Sequence, residues 1–252
     1  MIALAGLVFL PTKLLLLLGI VIVAGHNVLD GFRFNEESPF YLVWAVLYQR
    51  EVIDFNSFLV RTSYPILPWI GVIALGFLAG PLFRDAVPTA ERQAKMFTFG
   101  SVGLLLFVFI RFLNFYGDSP WIDTNEFSTT LMSFLSLTKY PPSLLFNLSM
   151  LSLGLIFLAL FEKIEHTKFA VVMSQFGAAP MFFYAFHLAL LKLLYVAAYS
   201  LYGPSEGRYL AFPSVGYIWI TFAGLMFVTY FPTKWFAEYK QTNKHIRWLK
   251  YF

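Results

Sequence analysis

The chain has 252 residues, of which 59% are hydrophobic, 20% aromatic and only 13% charged, and its mean hydropathy is +0.68. Soluble domains carry about 45–50% apolar and about 25% charged residues, so a water-soluble globule is excluded, and disorder with it. The absence of Cys removes disulfides, thiolate nucleophiles and Cys-based metal sites. What remains is an all-α, polytopic transmembrane helix bundle.

Crossing about 30 Å of hydrocarbon takes roughly 20 mostly apolar residues. Met1–Leu10 is apolar but, at about 15 Å of helical rise, reaches only half a bilayer, and Pro11 closes it. No basic residue precedes Lys13, as a signal peptide would require. This stub is expected to be a truncated N-terminal helix. Six full spans are expected after it, near Lys13–Phe32, Ile66–Phe83, Met96–Leu113, Leu144–Phe161, Phe176–Leu201 and Val215–Phe231. Period-two alternation is absent, so no sheet is expected. Gly177–Pro180 marks a kink or a late start in the fifth span. Gly76 and Gly80 form a GxxxG pair, which in an apolar helix reads as a packing face. Residues 1–252 thus read as a single membrane-embedded domain with a basic tail over 232–252.

A cytoplasmic C-terminus puts 11 Lys/Arg on inner segments and 6 on outer ones, in agreement with the positive-inside rule. The expected location is the cell (inner) membrane, multi-pass. The basic tail then faces anionic lipid rather than nucleic acid, and the bilayer is the first partner.

Ionisable groups inside a membrane are costly and mark functional sites by default. His26 and Asp30 are four residues apart, which on an α-helix puts a carboxylate beside an imidazole; the bland reading is interfacial anchoring. His187 falls near the midplane, whereas Lys192 sits nearer the outer face and can snorkel. A structural His187, bonded to a neighbouring helix, is the plain alternative. Tyr64-Pro65-Ile66-Leu67-Pro68-Trp69 and Lys139-Tyr140-Pro141-Pro142-Ser143 both start helices from outside, with Pro at its favoured place. Lys139 at that outer mouth can meet an anionic or sugar substrate. Gly203-Pro204-Ser205-Glu206-Gly207 matches G-x-S-x-G literally but lacks the strand–turn–helix context of a nucleophile elbow.

Ala24–Gly31, Tyr64–Gly71, Thr138–Leu144 and Phe182–Leu188, with the ending Trp248–Phe252, together resemble the heparan-α-glucosaminide N-acetyltransferase-like family of polytopic membrane proteins. Lys139-Tyr140-Pro141-Pro142-Ser143 is the most specific of these runs. The resemblance implies transfer of an acyl (acetyl) group from cytosolic acyl-CoA to an extracytoplasmic acceptor, often a sugar. It implies no bound cofactor; acetyl-CoA or another acyl-CoA is a co-substrate, and a homo-oligomer is compatible with it. The family's early helices carry an Asp–Arg-Gly motif with no counterpart here, so the chain is expected to be the C-terminal part of a larger acyltransferase domain, with activity of this chain alone in question.

On this reading His26 with Asp30 serves acid/base work, and His187 contacts thioester or acceptor. Asn27, Lys139, Tyr140 and Lys192 bind the acceptor, while Arg84, Arg92 and Lys95 meet CoA phosphates. No metal site is expected. The alternatives are a multi-pass transporter or proton-coupled carrier, against which stands the lack of an internal repeat, and a non-catalytic membrane scaffold.

Overall fold

Helices dominate because apolar runs in hydrocarbon must satisfy their own backbone hydrogen bonds. The computed structural model describes residues 2–55 and 58–252. In chain order the helices are α1 (Ile2–Leu7), α2 (Thr12–Gly25), α3 (Tyr41–Leu47), α4 (Leu67–Ala79), α5 (Thr89–Leu113), α6 (Phe127–Leu135), α7 (Leu144–Lys163), α8 (Lys168–Ala178), α9 (Pro180–Tyr202) and α10 (Val215–Thr242). Short 3-10 segments follow α2 (His26–Gly31) and α4 (Gly80–Phe83), and a third covers Arg247–Tyr251.

Five helical segments are long and apolar enough to cross a membrane: Thr12–Gly31, Thr89–Leu113, Leu144–Lys163, Pro180–Tyr202 and Val215–Thr242. Of the six expected spans, five reach that length, and the region of the remaining one, Ile66–Phe83, holds a shorter apolar helix over Leu67–Phe83. The stub is helical over Ile2–Leu7; Met1 lies outside the described residues. The expectation of no sheet is also corrected. Val52–Asp54 pairs antiparallel with Leu59–Arg61, Ile53 opposite Val60; strands of three residues are too short to register as alternation. The break near Gly177 is a late start, with Pro180 at the first turn of α9, where its missing N–H costs nothing.

The chain forms two compact units, Met1–Lys163 and Ile164–Phe252. In the first, α2 packs on α4 and α5 on α7. Small residues set both contacts. A Cβ on Gly71 would stand 2.9 Å from the Ile22 and Val23 methyls, and one on Gly100 would stand 2.8 Å from the Ser152 carbonyl. Gly76 and Gly80 have open space instead, so the expected GxxxG packing face is replaced by one built on Gly19 and Gly71. The polar face of α7, with Asn147, Ser149 and Ser152 buried, points into the unit while apolar side chains point out, the arrangement lipid favours. In the second unit α8, α9 and α10 pack together, and Ala179, Phe236, Ala237 and Leu249 form its small core.

Candidate functional site: a polar cleft at one end of the first unit

Where α2 gives way to the 3-10 segment, the geometry of its polar residues changes. A 3-10 helix has three residues per turn, so residues three apart eclipse and residues four apart diverge. Asn27 and Asp30 therefore meet, Asn27 Nδ2 donating to Asp30 Oδ2 at 2.9 Å. His26 and Asp30 do not. The expected carboxylate–imidazole pair is thus corrected. His26 is 2% exposed, its Nδ1 lies 2.9 Å from the Ile22 carbonyl and 3.0 Å from that of Val23, and its Nε2 lies 2.8 Å from the Pro142 carbonyl. The imidazole fastens the end of α2 to the turn preceding α7.

The start of α7 accounts for the rest. The first N–H groups of a helix lack intrahelical partners, and here each finds one. Leu144 N donates to Asn27 Oδ1 at 2.8 Å, Leu145 N to the Gly117 carbonyl at 3.2 Å, and Phe146 N to Ser143 Oγ at 3.0 Å. Gly117 has φ +92°, a left-handed conformation suited to Gly, and a Cβ there would also crowd Leu145 at 3.2 Å. Ser143 is the cap, and its hydroxyl donates onward to Asp118 Oδ2 at 2.6 Å.

The two carboxylates of this region differ in what they have left. Asp118 accepts from Ser119 N at 2.7 Å, Thr138 N at 2.9 Å, Thr138 Oγ1 at 2.7 Å and Ser143 Oγ at 2.6 Å. A carboxylate offers about four lone-pair sites, so Asp118 is saturated. Asp30 accepts from Asn27 and from the Tyr48 hydroxyl, and about two of its sites remain open. Burial, followed by the Asp30 carboxylate, pushes the Tyr48 phenol above its ordinary value, which keeps it a donor.

These side chains wall a cleft of about 340 Å³ whose lining includes Asn27, Asp30, Arg33, Tyr48, Arg50, Asp118, Tyr140 and Ser143. Tyr140, in a cis peptide with Pro141, donates its hydroxyl proton to Tyr64 Oη at 3.2 Å. Arg50 lies 5.3 Å and Lys139 5.2 Å from the Tyr140 ring centre. The Tyr64 hydrogen bond, then Lys139 and Arg50, lower the Tyr140 phenol below its ordinary value. Arg111, the last-turn cation of α5, is 2% exposed. It donates to the carbonyls of Phe134, Ser119, Ser133 and Ser136 at 2.8–3.1 Å, tying the cleft wall at Ser119 to the end of α6.

The structure thus gathers Asn27, Asp30 and Tyr140 around one cleft, with Lys139 at its rim and His26 fastened to the turn beside it. At the other end of α5, Arg92 Nε donates to Glu162 at 2.6 Å, Lys95 pairs with Glu91 at 2.5 Å, and Arg84 is exposed. In the second unit His187 Nδ1 donates to the Phe183 carbonyl at 3.0 Å, and Lys192 lies 5.6 Å from the Tyr195 ring centre. Sequence reasoning missed Tyr48, Arg33, Arg50, Asp118 and the burial of Arg111. Of these only Asp118 carried a local signal, an Asp-Ser-Pro turn after Gly117.

A mostly helical chain with five membrane-length helices, and a polar, partly cationic cleft at the helix ends of the first unit, mark a membrane protein with a candidate site at the level of those helix ends. Residues 1–117 match the model of the family heparan-alpha-glucosaminide N-acetyltransferase, catalytic, which bears out the resemblance over that segment. No curated protein and no solved structure matches the chain. The matched segment contains Asn27, Asp30, Tyr48, Arg33 and Arg50; Asp118, Tyr140 and Ser143, on the facing wall, lie beyond it.

Proposed function

We propose that the protein is an integral-membrane acyltransferase that moves an acyl (acetyl) group from cytosolic acyl-CoA to the amine or hydroxyl of an extracytoplasmic sugar-type acceptor held in the cleft. The observation that carries this reading is Asp30, inside the family-matched segment, lining the cleft with lone pairs unused. Asp30 takes the acceptor's proton as its nitrogen or oxygen attacks the thioester carbonyl carbon. The Tyr140 hydroxyl, made more acidic by its neighbours, turns its proton from Tyr64 Oη to the developing oxyanion. Collapse of the tetrahedral intermediate breaks the C–S bond, and the leaving CoA thiolate takes up the proton that Asp30 gives back, which restores the carboxylate.

Asn27 and Tyr48 hold Asp30, and His26 acts as a positioning residue through Pro142. Arg84 is the inner cation available for CoA phosphates, because Arg92 and Lys95 already hold carboxylates. In the second unit, His187 is assigned to a structural role through its hydrogen bond to the Phe183 carbonyl and Lys192 to the outer interface. The C-terminus is cytoplasmic, so a reporter after Phe252 reads inside and one inserted near Thr124 reads outside.

The test uses the protein in nanodiscs with acetyl-CoA. Glucosamine should release free CoA; release that persists with N-acetylglucosamine, whose amine is blocked, assigns the nucleophile to a hydroxyl, and release that is lost assigns it to the amine. Solute or proton flux without CoA release would favour a carrier and sink the transfer reading.

A further inference from the structure

We infer that the cleft takes the phosphate of an anionic membrane lipid, with Arg33 and Arg50 as its ligands and Lys139 at the rim. This deepens the reading above by making the acceptor lipid-borne, although lipid binding itself does not require transfer.

The first argument is level. The cleft is built from the last residues of the Thr12–Gly31 segment, from Ser143 just before α7, and from Asp118 and Ser119 just past α5. All three are helices of membrane length, so the cleft sits where hydrocarbon ends and headgroups begin. The helix α6 supports that level independently, because Phe127, Leu131, Met132 and Leu135 on it are all exposed. Thr130 and Ser133 face inward, bonded to Thr124 and to Ile122 N, whereas Phe127 and Leu135 are 81% and 57% exposed. An exposed apolar face with polar groups turned inward suits a helix lying in the lipid interface. Arg111 binds the carbonyls of Ser133 and Phe134 in α6 and of Ser119 in the cleft wall, so one guanidinium holds lipid-seated helix and cleft at the same height.

The second argument is charge. Asp118 is saturated by four donors, and Asp30 carries two. Among the described residues, neither Arg33 nor Arg50 is ion-paired with a carboxylate. Both are exposed and both line the cleft. Guanidinium groups bind phosphate oxygens in paired, planar fashion. Phe32, also in the lining and 59% exposed, offers apolar surface next to those cations, as a headgroup joined to an acyl chain requires.

The experiment measures lipid retention by native mass spectrometry and binding by titration, with the protein in phosphatidylcholine nanodiscs containing a minor share of phosphatidylglycerol. The wild type should retain phosphatidylglycerol over phosphatidylcholine. Arg33→Gln with Arg50→Gln should weaken that preference by about tenfold or more, as loss of charged hydrogen bonds implies, with helicity and unfolding temperature in pure phosphatidylcholine unchanged. Arg208→Gln, an exposed cation of the second unit, should leave it unaltered. No preference in the wild type, or a preference that survives the double substitution or falls equally with Arg208→Gln, overturns the inference. Soluble glycerol phosphate binding as tightly as the lipid overturns the lipid source. Because either single Arg substitution should also weaken binding, a double variant that fails to fold still leaves a decisive pair of measurements. Lipid binding without CoA release would sink the transferase reading alone, and CoA release without lipid preference would sink this one alone.

Discussion

The two ends of the α5–α7 pair solve the problem of charge at a membrane surface in opposite ways. At one end, Arg92 and Lys95 are matched with Glu162 and Glu91, cation against carboxylate. At the cleft end the carboxylates of Asp30 and Asp118 meet hydroxyls and N–H groups, while among the described residues Arg33 and Arg50 form no ion pair. The Arg92–Glu162 pair ties α5 to α7 and the Lys95–Glu91 pair lies within α5, and ions paired in this way offer little to a ligand. Carboxylates held by neutral donors keep their geometry and leave nearby cations free to recognise something from outside.

Three measurements break or sharpen that contrast. The largest effect belongs to Arg111→Met. It strands four carbonyls around a buried site, each worth about 1–3 kcal/mol if left unsatisfied, so thermal unfolding in detergent should show a loss of about 3 kcal/mol or more. A loss near zero would mean that α6 and the cleft wall hold their places unaided. Next, Glu162→Gln at the paired end should cost about 1–3 kcal/mol, between the values for exposed and buried ion pairs, yet leave phosphatidylglycerol binding unchanged. A change in lipid binding would show the two ends to be coupled. The smallest effect is a pH dependence. The folded Tyr48 phenol lies above its ordinary value of 10.0, so its stabilisation is complete below about pH 10 and is lost as pH rises beyond that. The unfolding temperature of wild type should therefore fall more steeply above pH 10 than that of Tyr48→Phe, and parallel curves would remove the Tyr48–Asp30 bond from the account.

The spanning helices were readable because 20 apolar residues in a row carry their meaning without context. Asn27, Asp30 and Tyr140 were likewise found as polar residues in places that lipid or an interface makes costly. The His26–Asp30 pair was misread because an apolar run does not disclose that its last turn tightens from α to 3-10, which exchanges the i+4 neighbour for the i+3 one. Tyr48, Arg33 and Arg50 come from the connection between α2 and α4, where α3 spans only Tyr41–Leu47, too short a helix for its period to place a side chain. Arg111 looked like one more outer charge, and only the folded connection after α5 reveals the four carbonyls around it.

The central claim is that Asp30, with lone pairs open to the cleft, does the proton transfer. Its direct test is CoA release by Asp30→Asn in nanodiscs with acetyl-CoA and glucosamine, alongside its unfolding temperature. Asn keeps the shape and an acceptor oxygen for Tyr48 but cannot take a proton, so turnover should fall by about 100-fold or more while the protein stays folded. A folded Asp30→Asn protein releasing CoA at the wild-type rate would contradict the account.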